Sequence, residues 1–144
     1  MAKTAKEVQT DIIKLLEGSV LAQGVNGEIY RATPDSSNRP RDSRKEDIEV
    51  IFTSGLPYQR QTGVVTLRIW VPDIDPYGDG VTVEDGARTA EIEALAGRWA
   101  EGLTEAEPNP GYFFSLQQTV CTEAEPDIAQ HFVAVRLSYI VYDL

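Results

Sequence analysis

Residues 46–71 read EDIEVIFT (46–53), SGLPY (54–58) and QRQTGVVTLRIWV (59–71). Successive side chains of a strand point to opposite faces. Val65, Leu67, Ile69 and Val71 therefore share one face of the last stretch, and Val64, Thr66, Arg68 and Trp70 share the other. The first set is uniformly apolar and is expected to meet a core. In 46–53, Ile48, Val50 and Phe52 alternate with more polar neighbours, which again reads as a strand with one buried face. Gly55 and Pro57 mark the turn between the two. The pair predicts a long antiparallel hairpin.

Working outward, Thr4 and Glu7 have the spacing of a capping box, which satisfies two orphan amides at a helix start. Val8, Ile12, Leu15 and Leu16 come next at helical spacing, and Gly18 is a natural stop. This short amphipathic helix is expected to pack on the sheet. After a turn at 24–27, Glu28–Ala32 is a short strand candidate. Thr33–Lys45, TPDSSNRPRDSRK, has two prolines and no hydrophobic residue, and reads as a long exposed loop. Beyond the hairpin, PDIDPYGDG (72–80) is a loop, and Thr82 with Asp85 can cap the next helix. Ile92, Leu95, Ala96, Trp99 and Leu103 form the stripe of this second amphipathic helix, ended by Gly102 and EAEPNPG (105–111). Gly111–Thr122 and Ala129–Tyr142 are two further strands around the turn EAEPD (123–127). In the last strand His131, Val133, Val135, Leu137, Tyr139 and Val141 make the better core face. The order α-β-β-β-α-β-β predicts an α+β fold, an antiparallel sheet of long hairpins packed with two helices, as a single domain over 1–144.

The chain has 144 residues, 42% of them hydrophobic and 25% charged, with a formal net charge of −10. That length suits one domain able to bury roughly two-thirds of its unfolded surface, so no disulfide or metal is needed to hold a core. The composition excludes wholesale disorder, collagen and coiled coil. The charge argues against a nucleic-acid binder acting by bulk electrostatics. It is also unevenly placed: 1–72 carry a net +1, 73–127 a net −11, and 128–144 none. One reading is a solvated acidic surface. The sharper one is a pair of complementary patches that meet between copies of the chain, head to tail. Cys121 is alone, so neither an intrachain disulfide nor a cysteine metal site is expected. No apolar run reaches the ~18 residues of a membrane span. The N-terminal MAKTAKEVQTDII lacks the apolar core of a signal peptide, and a reducing cytoplasm is the expected setting.

Few residues suggest chemistry. His131 is the single histidine and stands mid-strand, away from any cysteine or serine motif. Neither Ser54 nor Ser115 has a nucleophile-elbow context, and there is no phosphate loop or dinucleotide fingerprint. No catalytic residue and no cofactor are expected. Asp73, Asp75, Asp79 and Glu84 fall at positions 1, 3, 7 and 12 of an EF-hand-like register with Gly78 at position 6, which leaves a calcium-binding module as an alternative. Against it, Tyr77 occupies a ligand position, Pro76 stiffens the turn, and a strand precedes the loop. The basic loop residues Arg39, Arg41, Arg44 and Lys45 lack the interleaved aromatics of a single-strand nucleic-acid site. They suit an acidic protein neighbour, with Glu101, Glu105 and Glu107 as candidate partners.

The stretch from Gly27 to Asp75 carries a resemblance. A short Ile-Tyr strand (NGEIYRA), an Arg-Pro and Asp-Ser loop (TPDSSNRPRDSRK), a Lys-Glu-Asp-Ile strand and a long strand ending in Val-Pro-Asp resemble small prophage proteins of gut bacteria encoded among tail-assembly genes. The element order is similar to that of the tail terminator, or tail completion, proteins of long-tailed bacteriophages. The resemblance implies an α+β subunit of a homo-oligomeric, hexameric ring that caps the tail tube where it joins the head. It implies no enzymatic activity, with tail-tube and head-completion proteins as partners. It places the protein in the host cytoplasm during assembly and then in the virion. A neck or head–tail connector subunit shares this element order and is the alternative within the same class.

Overall fold

The computed structural model describes residues 2–58, 60–105 and 111–141. Its strands are β1 (Ile29–Ala32), β2 (Ile48–Leu56), β3 (Gln61–Pro72), β4 (Tyr112–Leu116), β5 (Cys121–Glu125) and β6 (Gln130–Val141). Its helices are α1 (Ala5–Leu16), α2 (Val20–Gln23) and α3 (Gly86–Glu105), with one 3-10 turn at Pro126–Ile128. The chain is α+β: one six-stranded, mostly antiparallel sheet in the order β1-β2-β3-β6-β4, with β5 also paired to β6.

The 46–71 hairpin forms with the expected faces. Val65, Leu67, Ile69 and Val71 lie in the core beside Ile48 and Val50, with Phe52 packed at its margin. β6 pairs with β3 along its full length, from Gln61 opposite Val141 to Pro72 opposite Gln130, and adds Val133, Val135, Leu137, Tyr139 and Val141 to the same core. Tyr139 fits because Gly63 stands opposite it: a Cβ there would lie 2.5 Å from the Tyr139 Oη.

The helices cover this one face. Thr4 caps α1 through the reciprocal bonds with Glu7, and Gly18, at φ +75°, takes the chain out of it. Val8, Ile12 and Leu16 of α1 and Ile92, Ala96, Ala100 and Leu103 of α3 belong to this one core, with Leu15, Leu95 and Trp99 partly buried against it. The four-residue α2, capped by Ser19, was beyond the reach of periodicity because it is a single turn. On the opposite face Trp70, Phe132 and Ala134 form a smaller cluster with Ile128.

Three features differ from the sequence reading, the first being that α3 runs on through Gly102, expected to help end it, as far as Glu105. β1 runs parallel to β2, with Ile29 opposite Ile48. Parallel neighbours need a crossover of about a dozen residues or more, and the long 33–45 loop supplies it. The predicted strand 111–122 is two strands. Leu116 pairs with Leu137 and Cys121 with Ala134, so the outer strand takes five steps where β6 takes three, and the surplus bulges out around Gln117–Val120. Tyr142, the last residue of the predicted final strand, lies outside the described residues.

Candidate interaction surface

Three connections meet at the end of the sheet where β3 and β6 are paired through Pro72 and Gln130: the 33–47 crossover, the 73–85 arm and the 126–129 turn. The crossover is exposed, as its composition suggests, at every residue from 33 to 45 except Arg39 and Ser43, yet it is tied down along its length. Thr33 Oγ1 accepts the amides of Asp35 and Ser36, Ser37 bridges back to Ala32, and Asn38 N–H donates to the Arg31 carbonyl. Arg39 then turns inward. Its Nε donates to Asp47 at 2.9 Å, and its Nη2 donates to the Ser43 and Lys45 carbonyls and to Gln130 Oε1. The guanidinium lies 4.7 Å from the Trp70 ring centroid. With side chains 5% and 1% exposed, Arg39 and Asp47 form a buried ion pair. Arg44 donates to the carbonyls of Ile128, Ala129 and Asp73, tying the three connections together.

So of the four cations assigned to an interface, Arg39 is committed inside the chain and Arg44 is held on its own backbone. Arg41 and Lys45 are exposed, and among the described residues neither side chain makes a hydrogen bond or ion pair. Their proposed acidic partners are elsewhere. Arg88, near the start of α3, donates to both Glu46 oxygens at 2.6 and 2.7 Å and to the Gly24 carbonyl. Its bond to Glu46 raises the guanidinium's affinity for its proton further above the usual arginine range. That contact places the helix start beside Lys45. Glu101 lies thirteen residues later, about 20 Å along the axis at 1.5 Å per residue, and Glu105 one turn beyond. Both are exposed. Glu107 lies outside the described residues.

The segment 73–84 is a projecting arm. Ile74 and Val83 pair through two 2.9 Å backbone bonds. At the tip, the Asp75 carboxylate accepts the amides of Asp79 and Gly80, and Asp79 accepts that of Val81. Gly78 and Gly80 adopt φ of +70° and +82°, the left-handed region where glycine carries no Cβ penalty. Four large apolar side chains are left in solvent, with Ile74, Tyr77, Val81 and Val83 exposed by 41, 86, 63 and 45%.

The four carboxylates of the calcium-like register have other partners in this geometry. Asp73 is held by His131, whose Nδ1 lies 2.6 Å from its carboxylate, and Glu84 accepts from Thr89 Oγ1 at 2.9 Å. Asp75 and Asp79 face their own backbone. No group of three or more His, Cys, Asp or Glu among the described residues could hold a metal ion. The cap of α3 is Asp85, which accepts the Arg88 amide, and not Thr82. The His131–Asp73 pair escaped the sequence reading because it depends on the β3–β6 register, in which Val71 faces His131 and Asp73 sits two residues on.

No helix among the described residues is long and apolar enough to cross a membrane. No protein-family model matches the chain, and no curated protein matches it.

Proposed function

We propose that the chain is a non-enzymatic structural subunit that assembles with copies of itself into a ring, of the kind that terminates the tail tube of a phage or prophage and joins it to the head. One observation carries the reading. Arg41 and Lys45 stand outward on a loop that is otherwise tied down, without a carboxylate partner among the described residues, while Glu101 and Glu105 are exposed far along α3 and the acidic arm projects beside its start. Opposite charges unmatched within one copy and presented on different surfaces favour a heterologous contact, which closes into a ring when its rotation closes. The resemblance over Gly27–Asp75 supports the type of ring. The −11 carried by 73–127 supports a role without direct nucleic-acid binding, since that surface repels phosphate. The locations that go with the reading are the host cytoplasm during assembly and the tail–head junction afterwards.

Native mass spectrometry at low salt tests it. A hexamer is expected, and Arg41→Glu with Lys45→Glu is expected to leave monomers of unchanged melting temperature. Arg44 is spared because its guanidinium holds the loop. A dodecamer would favour the neck connector instead, and a monomer at every protein concentration would refute the ring.

A further inference from the structure

The acidic half offers two surfaces to the cations of the next copy, and they are not equal. The end of α3 offers charge alone: no large hydrophobic side chain on that helix is exposed. Exposed ion pairs contribute about 0–1 kcal/mol each, too little to hold an assembly. The 73–84 arm adds four exposed apolar side chains to Asp75 and Asp79. It is an ordered element that buries almost nothing within its own chain. Its tip is held by hydrogen bonds and two left-handed glycines, so little ordering is lost when it binds.

A matching receptor lies on the open side of the sheet. Pro40, Trp70 and Ile128, with Arg39, Arg41 and Glu49, line a cavity of about 160 Å³. It is open to solvent on one side. Glu49, a buried residue of its lining, accepts from Trp70 Nε1 at 2.7 Å and from Ser37 Oγ. A carboxylate has about four acceptor sites, so Glu49 retains capacity for one more O–H donor. Arg41 stands exposed beside the pocket.

The geometry points to a docking contact in which the arm of one copy seats Tyr77 in the Trp70–Arg41 pocket of a second copy. The inference rests on the ring-former reading and names its contact. The phenol ring packs on Trp70 and Pro40, its hydroxyl donates to Glu49, and Asp75 and Asp79 pair with Arg41. Ile74, Val81 and Val83 close over the rim. Tyr77 cannot be doing this within its own copy, where it is 86% exposed. Tyrosine flanked by charge is also the composition of an interface hot spot.

The test uses the full chain in native mass spectrometry and analytical ultracentrifugation. Tyr77→Ala and Arg41→Glu are each expected to weaken self-association by about 30-fold or more, the scale of a hot-spot loss. Tyr77→Phe, which keeps the ring, recovers most of it. Glu101→Lys with Glu105→Lys leaves association within a few-fold of wild type. An equimolar mixture of Tyr77→Ala and Arg41→Glu has one intact arm and one intact pocket, and is expected to yield heterodimers and nothing larger. A wild-type oligomer that survives Tyr77→Ala, or a mixture that yields no heterodimer, overturns the arm while leaving the ring in place. A wild-type chain that stays monomeric overturns both.

Discussion

Replacing Arg39 by alanine tests whether the crossover is a folded part of the domain. The substitution removes the Nε bond to Asp47, three Nη2 bonds to Ser43, Lys45 and Gln130, and the packing over Trp70. The Asp47 carboxylate, 1% exposed in the intact pair, is left with only the Ser43 hydroxyl and the Glu28 amide donating to it. Breaking a buried ion pair from one side costs about 3–5 kcal/mol, because a charge is left without compensation. The other lost bonds are partly contained in that figure, since interactions within one network do not add. For a chain of this length 1 kcal/mol corresponds to about 3 °C, so the melting temperature is expected to fall by about 9–15 °C. Circular dichroism melts and urea midpoints give the two readings. Arg39→Met combined with Asp47→Asn removes the charge pair as a unit and is expected to recover part of the loss. A cost below about 1 kcal/mol for Arg39→Ala would refute the reasoning. It would mean that the loop is detached in solution and that Arg39 is available to a neighbour after all.

Asp11 supplies a pH dependence. Burial works against its ionisation, but hydrogen bonds from Lys3 Nζ and Tyr112 Oη, each 2.6 Å, prevail and hold its carboxyl below the usual range. A depressed folded value stabilises the native state above the unfolded value of about 3.9 and loses that effect as pH falls through the folded one. The gap in urea midpoint between wild type and Asp11→Asn should hold steady from pH 7 to about 5 and close below about 4; a gap that widens in acid contradicts the assignment. Two glycine replacements should act with opposite sign. Gly63→Ala forces a Cβ against Tyr139 and the Ser54 carbonyl and costs about 1–3 kcal/mol, whereas Gly102→Ala, with open space around it in α3, gains about 0.5–1 kcal/mol. Equal effects in thermal melts would show that the close approach at Gly63 is not what excludes a side chain.

Alternation and helical spacing were enough to place the core. Val65 to Val71, Val133 to Val141, Ile92 to Leu103 and the Thr4 cap are local patterns, and each buries the face it predicts. What escaped is whatever depends on a distant partner. Nothing in Glu28–Ala32 says that its neighbour runs parallel, because that is set by the path of the crossover. Arg39 sits in a run of polar turn formers, and its burial is set by Asp47, Gln130 and Trp70, which come from three other parts of the chain. Composition marks such a loop as solvated, and it is, apart from this one arginine, whose Nε and Nη2 find acceptors inside the chain. Likewise the carboxylates of 73–84 have calcium-like spacing, but spacing does not say where each oxygen points, and here they serve turns, a threonine hydroxyl and a histidine. The apolar residues of the arm are plain in the sequence; their exposure is a property of the fold alone.

The two edges of the sheet bear on how copies can meet. At one edge β1 is four residues long, and Ser37 already bridges to Ala32 from its outer side. At the other, the outer row is broken between Leu116 and Cys121 by the residues that bulge there. Neither edge offers a long flat row of free amides, the template on which sheets extend from molecule to molecule. Adding strands is therefore a poor route to association for this chain. Whatever joins two copies has to be carried by side chains, and such a joint can be loosened by salt or by one substitution, where a shared backbone ladder would resist both.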